Sequence, residues 1–318
     1  MSFKTQAVLA IALVAVGLGP IGNPALAAEP DRAAEMRHAA QSKDTATVER
    51  LLNLGVDVNA ANALGKTALM MAVEVDDLQT TALLLTRGAD VNARDTSGLT
   101  ALTFAAENGH IGITALLLER GADVHGRTRA GWDALMIAAR YGIADMVEQL
   151  LYRQADPKAS DNHQRTALMH ASEKGHVAVV GLLARGGAQL DARDEKGATA
   201  LHIAADNGQT GAVEALLALG ADIDAKDASG DSVLTYAVTR GDATTATLLL
   251  QRGANPNLQG SGGSTALMEA IRSGHGGLVP LLLKYKSDPA LKDAQGRTAA
   301  DWAAKRDDER AAAALSGR

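Results

Sequence analysis

The eight histidines are the first side chains of this sequence to suggest chemistry, because imidazole binds metals and exchanges protons near neutral pH. His110, His176 and His275 are separated by multiples of 33 residues and each follows a glycine, which favours a structural role in a repeated unit. The other five show no His-Glu-x-x-His spacing and no other close pair: His38, His125, His163, His170 and His202. We therefore predict no metal site.

The remaining reactive groups also argue against catalysis. The chain has no cysteine, so disulfides, thiolate metal sites and thiol nucleophiles are excluded. Residues 259–264 superficially resemble a phosphate-binding loop, but no lysine follows and no buried strand precedes them. We expect the carboxylate runs Asp76-Asp77 and Asp307-Asp308-Glu309 to be solvated helix ends. No nucleophile, base and orienting group converge, so we predict a non-enzymatic protein without a cofactor.

Composition limits the kind of protein further. The 31 basic and 37 acidic residues give a net charge of −6, which argues against a nucleic-acid-binding protein. A charged fraction of 21% and a mean hydropathy near zero exclude a disordered chain and a multi-span membrane protein. Aromatic residues make up 3% of the chain, so the core must be thin and built from small side chains.

Residues 1–27 are predicted to be a cleaved signal peptide. Lys4 precedes an apolar run at 7–18, and Ala25-Leu26-Ala27 matches a signal peptidase site. The alternative is a membrane anchor, but the run is shorter than the roughly 20 residues that span a bilayer. We expect a periplasmic or secreted protein with no membrane insertion, whose charge without Lys4 is 30 − 37 = −7.

From residue 31 onward the sequence repeats every 33 residues. The repeat is carried by a glycine column, which only Gln164 interrupts: Gly65, Gly98, Gly131, Gly197, Gly230, Gly263 and Gly296. We divide the chain into an N-terminal capping repeat at 28–60, seven full repeats at 61–291 and a C-terminal capping repeat at 292–318, numbered one to nine. In repeat one, Arg37, Gln41, Lys43 and Asp44 are expected to point outward.

Each repeat contains signals for two short helices. Thr100 can cap a first helix that Gly109 ends, and 144–152 carry apolar residues at helical spacing for a second helix. Gly88 can adopt the left-handed backbone that ends a helix, and 95–98 read as a tight turn. A lone repeat buries too few aliphatic side chains, at about 1.5–3 kcal/mol each, to offset its backbone ordering, so repeats must stack.

Two segments resemble the ankyrin repeat: residues 194–205, Asp-Glu-Lys-Gly-Ala-Thr-Ala-Leu-His-Ile-Ala-Ala, and 220–225, Gly-Ala-Asp-Ile-Asp-Ala. The resemblance covers 31–318 and implies an all-α repeat solenoid of stacked helix-turn-helix units with projecting β-hairpin-like turns. The sequence departs from the family pattern by replacing the capping-motif proline with alanine, and it keeps the motif's histidine only at His202.

The resemblance also implies that a partner contacts the turn tips and the exposed ends of the first helices. Repeats four and five carry the most unusual residues there, because a tryptophan, a tyrosine and four cations come together on an acidic protein. Trp132 has the alternative of folding down to pack against repeat three. The predicted partner-binding residues lie in repeats three to five: Leu99, Phe104, Arg129, Trp132, Arg140, Tyr141, His163, Arg165 and Lys174.

Gln154 and Gln164 replace glycines where a left-handed backbone is expected, and such local strain favours a functional site in the same repeats. We therefore predict a monomeric protein-binding scaffold whose partner is an acidic segment bearing apolar anchors. Two alternatives stay open. One is a receptor for an anionic small molecule or glycan, and the other is an accessory or immunity protein for an exported enzyme.

Overall fold

A computed structural model describes residues 31–260 and 262–317, so the predicted signal peptide at 1–27 lies outside the described residues. The described residues form eighteen α-helices and one short 3₁₀-helix, and they contain no β-strand beyond isolated bridges. The helices are α1 Arg32–Gln41, α2 Thr45–Asn53, α3 Ala68–Glu74, α4 Leu78–Thr86, α5 Ala101–Asn108, α6 Ile111–Glu119, α7 Ala134–Tyr141, α8 Ala144–Tyr152, α9 Ala167–Lys174, α10 Val177–Arg185, α11 Ala200–Asp206, α12 Thr210–Ala218, α13 Val233–Arg240, α14 Ala243–Gln251, α15 Ala266–Arg272, α16 Val279–Lys284, preceded by the 3₁₀-helix Gly276–Leu278, α17 Ala299–Lys305 and α18 Glu309–Leu315.

The predicted caps of the first helices are confirmed. Each cap side chain accepts a hydrogen bond from the backbone N–H three residues later, which satisfies a free donor of the first turn. The capping residues are Thr67, Thr100, Asp133, Thr166, Thr199, Ser232, Thr265 and Thr298. Gly109 ends α5 in the left-handed conformation, with φ 78°.

The turns project between the repeats and are joined to one another by backbone hydrogen bonds. In repeat three, Asp95 Oδ1 accepts from the N–H groups of Ser97 and Leu99, both at 2.8 Å. The Ser97 carbonyl then accepts from Arg129 N of the next turn at 2.9 Å. A side chain on Gly98 would lie 3.0 Å from that same nitrogen, so the close approach of the two turns requires glycine.

The core is one continuous apolar cluster that runs through all the helix pairs of the described residues. Each first helix packs on the first helices of its neighbours, so α7 lies between α5 and α9, and most second helices do the same, as α8 does with α6 and α10. Small buried residues such as Ala105 and Ala138 allow this close stacking, while Leu117 and Leu150 fill the space between the two helix layers. The result is an all-α solenoid.

Two expectations about polar side chains are wrong. Arg37 does not point outward, because its side chain is 11% exposed and Nη1 donates to the Ala60 carbonyl at 3.0 Å. Asp77 is not solvated; it is buried and caps α4 by accepting from Thr80 N at 3.1 Å. Arg37 is partly buried and Asp77 is buried because each satisfies a backbone group of the fold.

Among the described residues, every helix is too short or too polar to cross a lipid bilayer.

Candidate recognition groove

The turn tips of repeats three and four and the ends of α5 and α7 enclose an open groove of about 400 Å³. We call it the Trp132 groove. Five of the nine predicted partner-binding residues line it, namely Leu99, Arg129, Trp132, Arg140 and Tyr141. The remaining lining residues are Ser97, Glu107, Thr128, Ala130 and Ile137.

Trp132 forms one wall of this groove and is half-buried. Its ring packs against the imidazole of His170 in repeat five, with centroids 4.2 Å apart and planes inclined by 43°. The guanidinium carbon of Arg140 lies 5.5 Å from the centroid of the same indole ring. Trp132 therefore packs forward onto repeat five, not back against repeat three, and it still presents surface to the groove.

Phe104 is not at the surface, so its prediction as a partner-binding residue is wrong. It is 4% exposed, and the Lys66 ammonium lies 4.7 Å from its ring centroid. Phe104 and His170 occupy the same position of their repeats, and in both cases the residue after the turn glycine of the preceding repeat covers the ring. This position is therefore shielded from solvent by the projecting turn of the preceding repeat.

Three of the predicted cations converge on one carboxylate. Glu173 Oε2 lies 2.6 Å from Arg165 Nη2, and Oε1 lies 2.9 Å from Lys174 Nζ and 3.4 Å from Arg140 Nη1. Burial alone would raise the pKa of Glu173, but the hydrogen bonds from Lys174 and Arg165 and the charges of both outweigh it and lower the pKa to about 2. Three cations share one anion, so this cluster of four side chains has a net positive charge.

The other predicted residues are not all in the Trp132 groove. His163 and Arg165 line a separate opening of about 570 Å³ between repeats five and seven, together with Glu195 and Tyr236. His163 Nδ1 lies 3.2 Å from Glu195 Oε2. Lys174 is exposed beside Glu173 and lines neither opening. The predicted surface is thus divided into an apolar groove with arginines and a polar opening of mixed charge.

Repeat five contains a buried histidine–aspartate pair that the sequence analysis did not predict. His170 Nε2 lies 3.1 Å from Asp161 Oδ2, and each side chain is 1% exposed. Burial is the main cause that lowers the pKa of His170 to about 4; the charge of Arg165 adds to it and that of Asp161 opposes it. The signal in the sequence was a histidine at a repeat position that is apolar in other repeats, where it holds Met71, Ile137 and Ile203.

The same nine-residue relation recurs in two later repeats. Asp227 Oδ2 accepts from the Tyr236 hydroxyl at 2.8 Å, and Asp293 Oδ2 accepts from Trp302 Nε1 at 3.0 Å. In each case the aspartate belongs to the turn and the ring to the first helix, and the other carboxylate oxygen accepts from the turn backbone. We call this arrangement the aspartate brace, because it ties a projecting turn to the helix beneath it.

The glutamines that interrupt the glycine pattern have the expected left-handed backbone. Gln154 has φ 68° and Gln164 has φ 59°. Gln164 stands in the turn of repeat five between His163 and Arg165. A non-glycine residue is strained in this conformation, so the turn of repeat five is held in place by its surroundings.

Two of the three repeat-positioned histidines, His110 and His176, bind backbone carbonyls of the preceding repeat. His176 Nε2 lies 3.0 Å from the Arg140 carbonyl, and His110 Nε2 lies 3.4 Å from that of Glu74. His202 bonds to Thr199 through Nδ1 and lies 3.2 Å from the Asp231 carbonyl through Nε2. Within the part of the chain that the structure describes, no three His, Asp or Glu side chains are grouped to hold a metal ion.

Stacked helix pairs, projecting turns and a groove beneath the turn tips define a solenoid repeat protein. The family model of ankyrin repeats (3 copies) matches residues 36–128, 135–227 and 234–317, and a second ankyrin-repeat model (many copies) matches 207–250. The chain therefore belongs to the ankyrin-repeat family. Proteins of this family are protein–protein interaction scaffolds and are typically non-enzymatic. A search of curated proteins found no match to this chain.

Proposed function

We propose that this protein is an exported, non-enzymatic scaffold that recognises a partner protein through repeats three to five, with the Trp132 groove as its central contact. The observation that carries the proposal is the composition of the groove. Leu99, Trp132 and Tyr141 surround it, and Arg129 and Arg140 stand at its edge. Aromatic and arginine side chains supply much of the binding energy at protein interfaces.

The charge of the region favours an acidic partner segment with apolar anchors. Arg140 shares Glu173 with two closer cations, and Arg129 is exposed. A carboxylate of the partner can therefore pair with these arginines, while an apolar side chain enters the groove between Leu99 and Trp132. Because the groove is built on stacked helices, it loses little conformational freedom on binding.

Selection from a random peptide library, carried out on the purified protein, tests this proposal. We expect enriched peptides that combine an acidic residue with an aromatic or leucine residue. The double variant Trp132→Ala/Arg140→Glu should bind those peptides at least about tenfold more weakly, a loss of about 1.4 kcal/mol. The matched control is Tyr152→Ala/Arg185→Glu, which removes an exposed aromatic residue and reverses an exposed arginine on second helices.

Equal binding of the enriched peptides by the wild type and the groove variant would refute the Trp132 groove as the contact site. Failure to enrich any peptide motif would count against recognition of a linear segment. Export is tested separately by the mass of the protein recovered from its native cell envelope, where we expect loss of residues 1–27.

The surplus of cations supports a second candidate, a receptor for an anionic small molecule or glycan. Arg129, Arg140, Arg165 and Lys174 would bind the anion. This candidate predicts calorimetric binding of sulfated oligosaccharides that is abolished by salt, since screening weakens exposed charge pairs. Peptide binding that depends on Trp132 and survives moderate salt would favour the protein partner instead.

A further inference from the structure

His170 packs against Trp132 on the side away from the groove and is itself hydrogen-bonded to Asp161. Its imidazole is 1% exposed, lies 4.2 Å from the Trp132 ring, and bonds to Asp161 at 3.1 Å. Asp161 in turn accepts from the N–H groups of His163 and Arg165, both at 2.9 Å, through its other oxygen. The support therefore runs from the turn of repeat five through His170 to the wall of the groove.

The hydrogen bonds also define which form of His170 is present. An ionised carboxylate only accepts, so Nε2 carries the proton that is donated to Asp161. Nδ1 is buried and has no hydrogen-bond partner among the described residues. The imidazolium form would add a second N–H without an acceptor, next to the positive charges of Arg165 and Arg140. His170 is thus a neutral ring of fixed orientation.

Packing alone does not require a polar ring at this position. Ile137 and Ile203 occupy it in the two neighbouring repeats and are also buried. The later braces at Tyr236 and Trp302 show that a ring donor is compatible with the fold, yet those rings lie outside the Trp132 groove. Among the described residues, the brace of repeat five is the one that lies directly beneath a wall of the Trp132 groove, whereas Tyr236 of the brace in repeat seven itself lines the polar opening.

We infer that His170 is a positioning residue of the recognition groove: through its hydrogen bond to Asp161, it fixes the orientation in which Trp132 faces a bound partner. This inference rests on the proposed function for its biological meaning. The orientation of Trp132 is nevertheless a property of the free protein and can be measured without a partner.

The experiment uses the variant Trp302→Phe as background, so that Trp132 is the sole tryptophan and reports its own motion. Time-resolved fluorescence anisotropy measures the rapid local rotation of its ring. His170→Ile should increase the amplitude of that rotation about twofold because the support is lost, and so should His170→Phe, which keeps a ring at this position but removes the donor to Asp161. His170→Tyr should instead keep the amplitude that is measured with His170, since Tyr236 shows that a phenol can donate to the turn aspartate.

Folding is secured by natural precedent, because isoleucine occupies the position of His170 in both neighbouring repeats and Phe104 occupies it in repeat three. Tyr236→Ile, which breaks the equivalent brace in repeat seven, is the matched control and should leave the Trp132 signal unchanged. An unchanged amplitude in both His170→Ile and His170→Phe would overturn the inference. An absence of enriched peptides in the library selection would instead count against the proposed function, whatever the anisotropy shows.

Discussion

The carboxylate of Glu173 lies 2.6 Å from the guanidinium of Arg165, eight residues earlier on the turn above it. Lys174 and Arg140 approach the same carboxylate, and the Glu173 side chain is 16% exposed. This carboxylate therefore connects the edge of the Trp132 groove, where Arg140 stands, to the polar opening lined by Arg165. Its protonation state has consequences for both surfaces.

Glu173→Gln should remove a component of acid unfolding. The pKa of Glu173 in the folded protein is about 2, below the ordinary value of 4.5, so the unfolded chain binds the proton more readily. The stabilisation is complete above pH 4.5 and is lost as the pH falls towards 2. We expect wild type to lose about 2 kcal/mol more than the variant over this range, after allowance for solvent screening. Urea unfolding at several pH values measures it, and parallel curves would contradict the prediction.

His170→Ile should remove a separate component of acid unfolding, one that acts at higher pH than the component due to Glu173. The pKa of His170 is lowered from 6.5 to about 4, so protonation favours the unfolded chain between these values. The free energy of unfolding is fully maintained above pH 6.5 and falls as the pH drops to 4. Between these pH values, we expect the free energy of unfolding to fall by about 3 kcal/mol more in the wild type than in the variant. His202, whose pKa burial also lowers, stays in both proteins and cancels in the comparison.

The repeats could be predicted from sequence because their signals are local. Thr100 caps α5 and Gly109 ends it for reasons that involve only a few neighbouring residues. The 33-residue period then fixes how successive helices stack, since the same residues recur at each interface. The five groove residues followed from the contact map that the ankyrin resemblance implies.

What the sequence could not reveal depends on contacts between repeats. Phe104 was expected at the surface because its own repeat gives no sign that Lys66, 38 positions earlier, covers its ring. Likewise, the contact between Trp132 and His170 can be predicted only if the inclination of the turns over the first helices is known. The sharing of Glu173 among three cations depends on rotamers, and no spacing rule specifies those.

Gln164→Gly should stabilise the protein. Gln164 has φ 59°, which glycine adopts without strain, so relief of about 1 kcal/mol is expected. Gly131→Ala should do the opposite, because Gly131 has φ 82° and an added Cβ would lie 2.8 Å from the backbone nitrogen of Asn162. Thermal unfolding of both variants measures the difference. A lower midpoint for Gln164→Gly would show that the glutamine side chain has a stabilising contact of its own.

His202→Leu should destabilise the junction of repeats six and seven. The imidazole is fully buried and connects Thr199 to the Asp231 carbonyl, and its loss leaves the buried Thr199 N–H without its acceptor, Nδ1. A cost of about 1–3 kcal/mol is expected. His125→Leu is the matched control, because His125 is exposed and should change the free energy of unfolding by less than about 0.5 kcal/mol. Equal effects of the two substitutions would contradict the assigned role of His202.

The backbone bonds between successive turns have a consequence for how such a chain changes length. Thr96 N donates to the Leu64 carbonyl, and Arg129 N donates to that of Ser97, 33 residues further along. Duplication or deletion of a whole 33-residue unit by recombination therefore preserves the spacing of the donors and acceptors of these bonds. A groove such as the one at Trp132 can therefore be carried intact to a new place in a longer or shorter array.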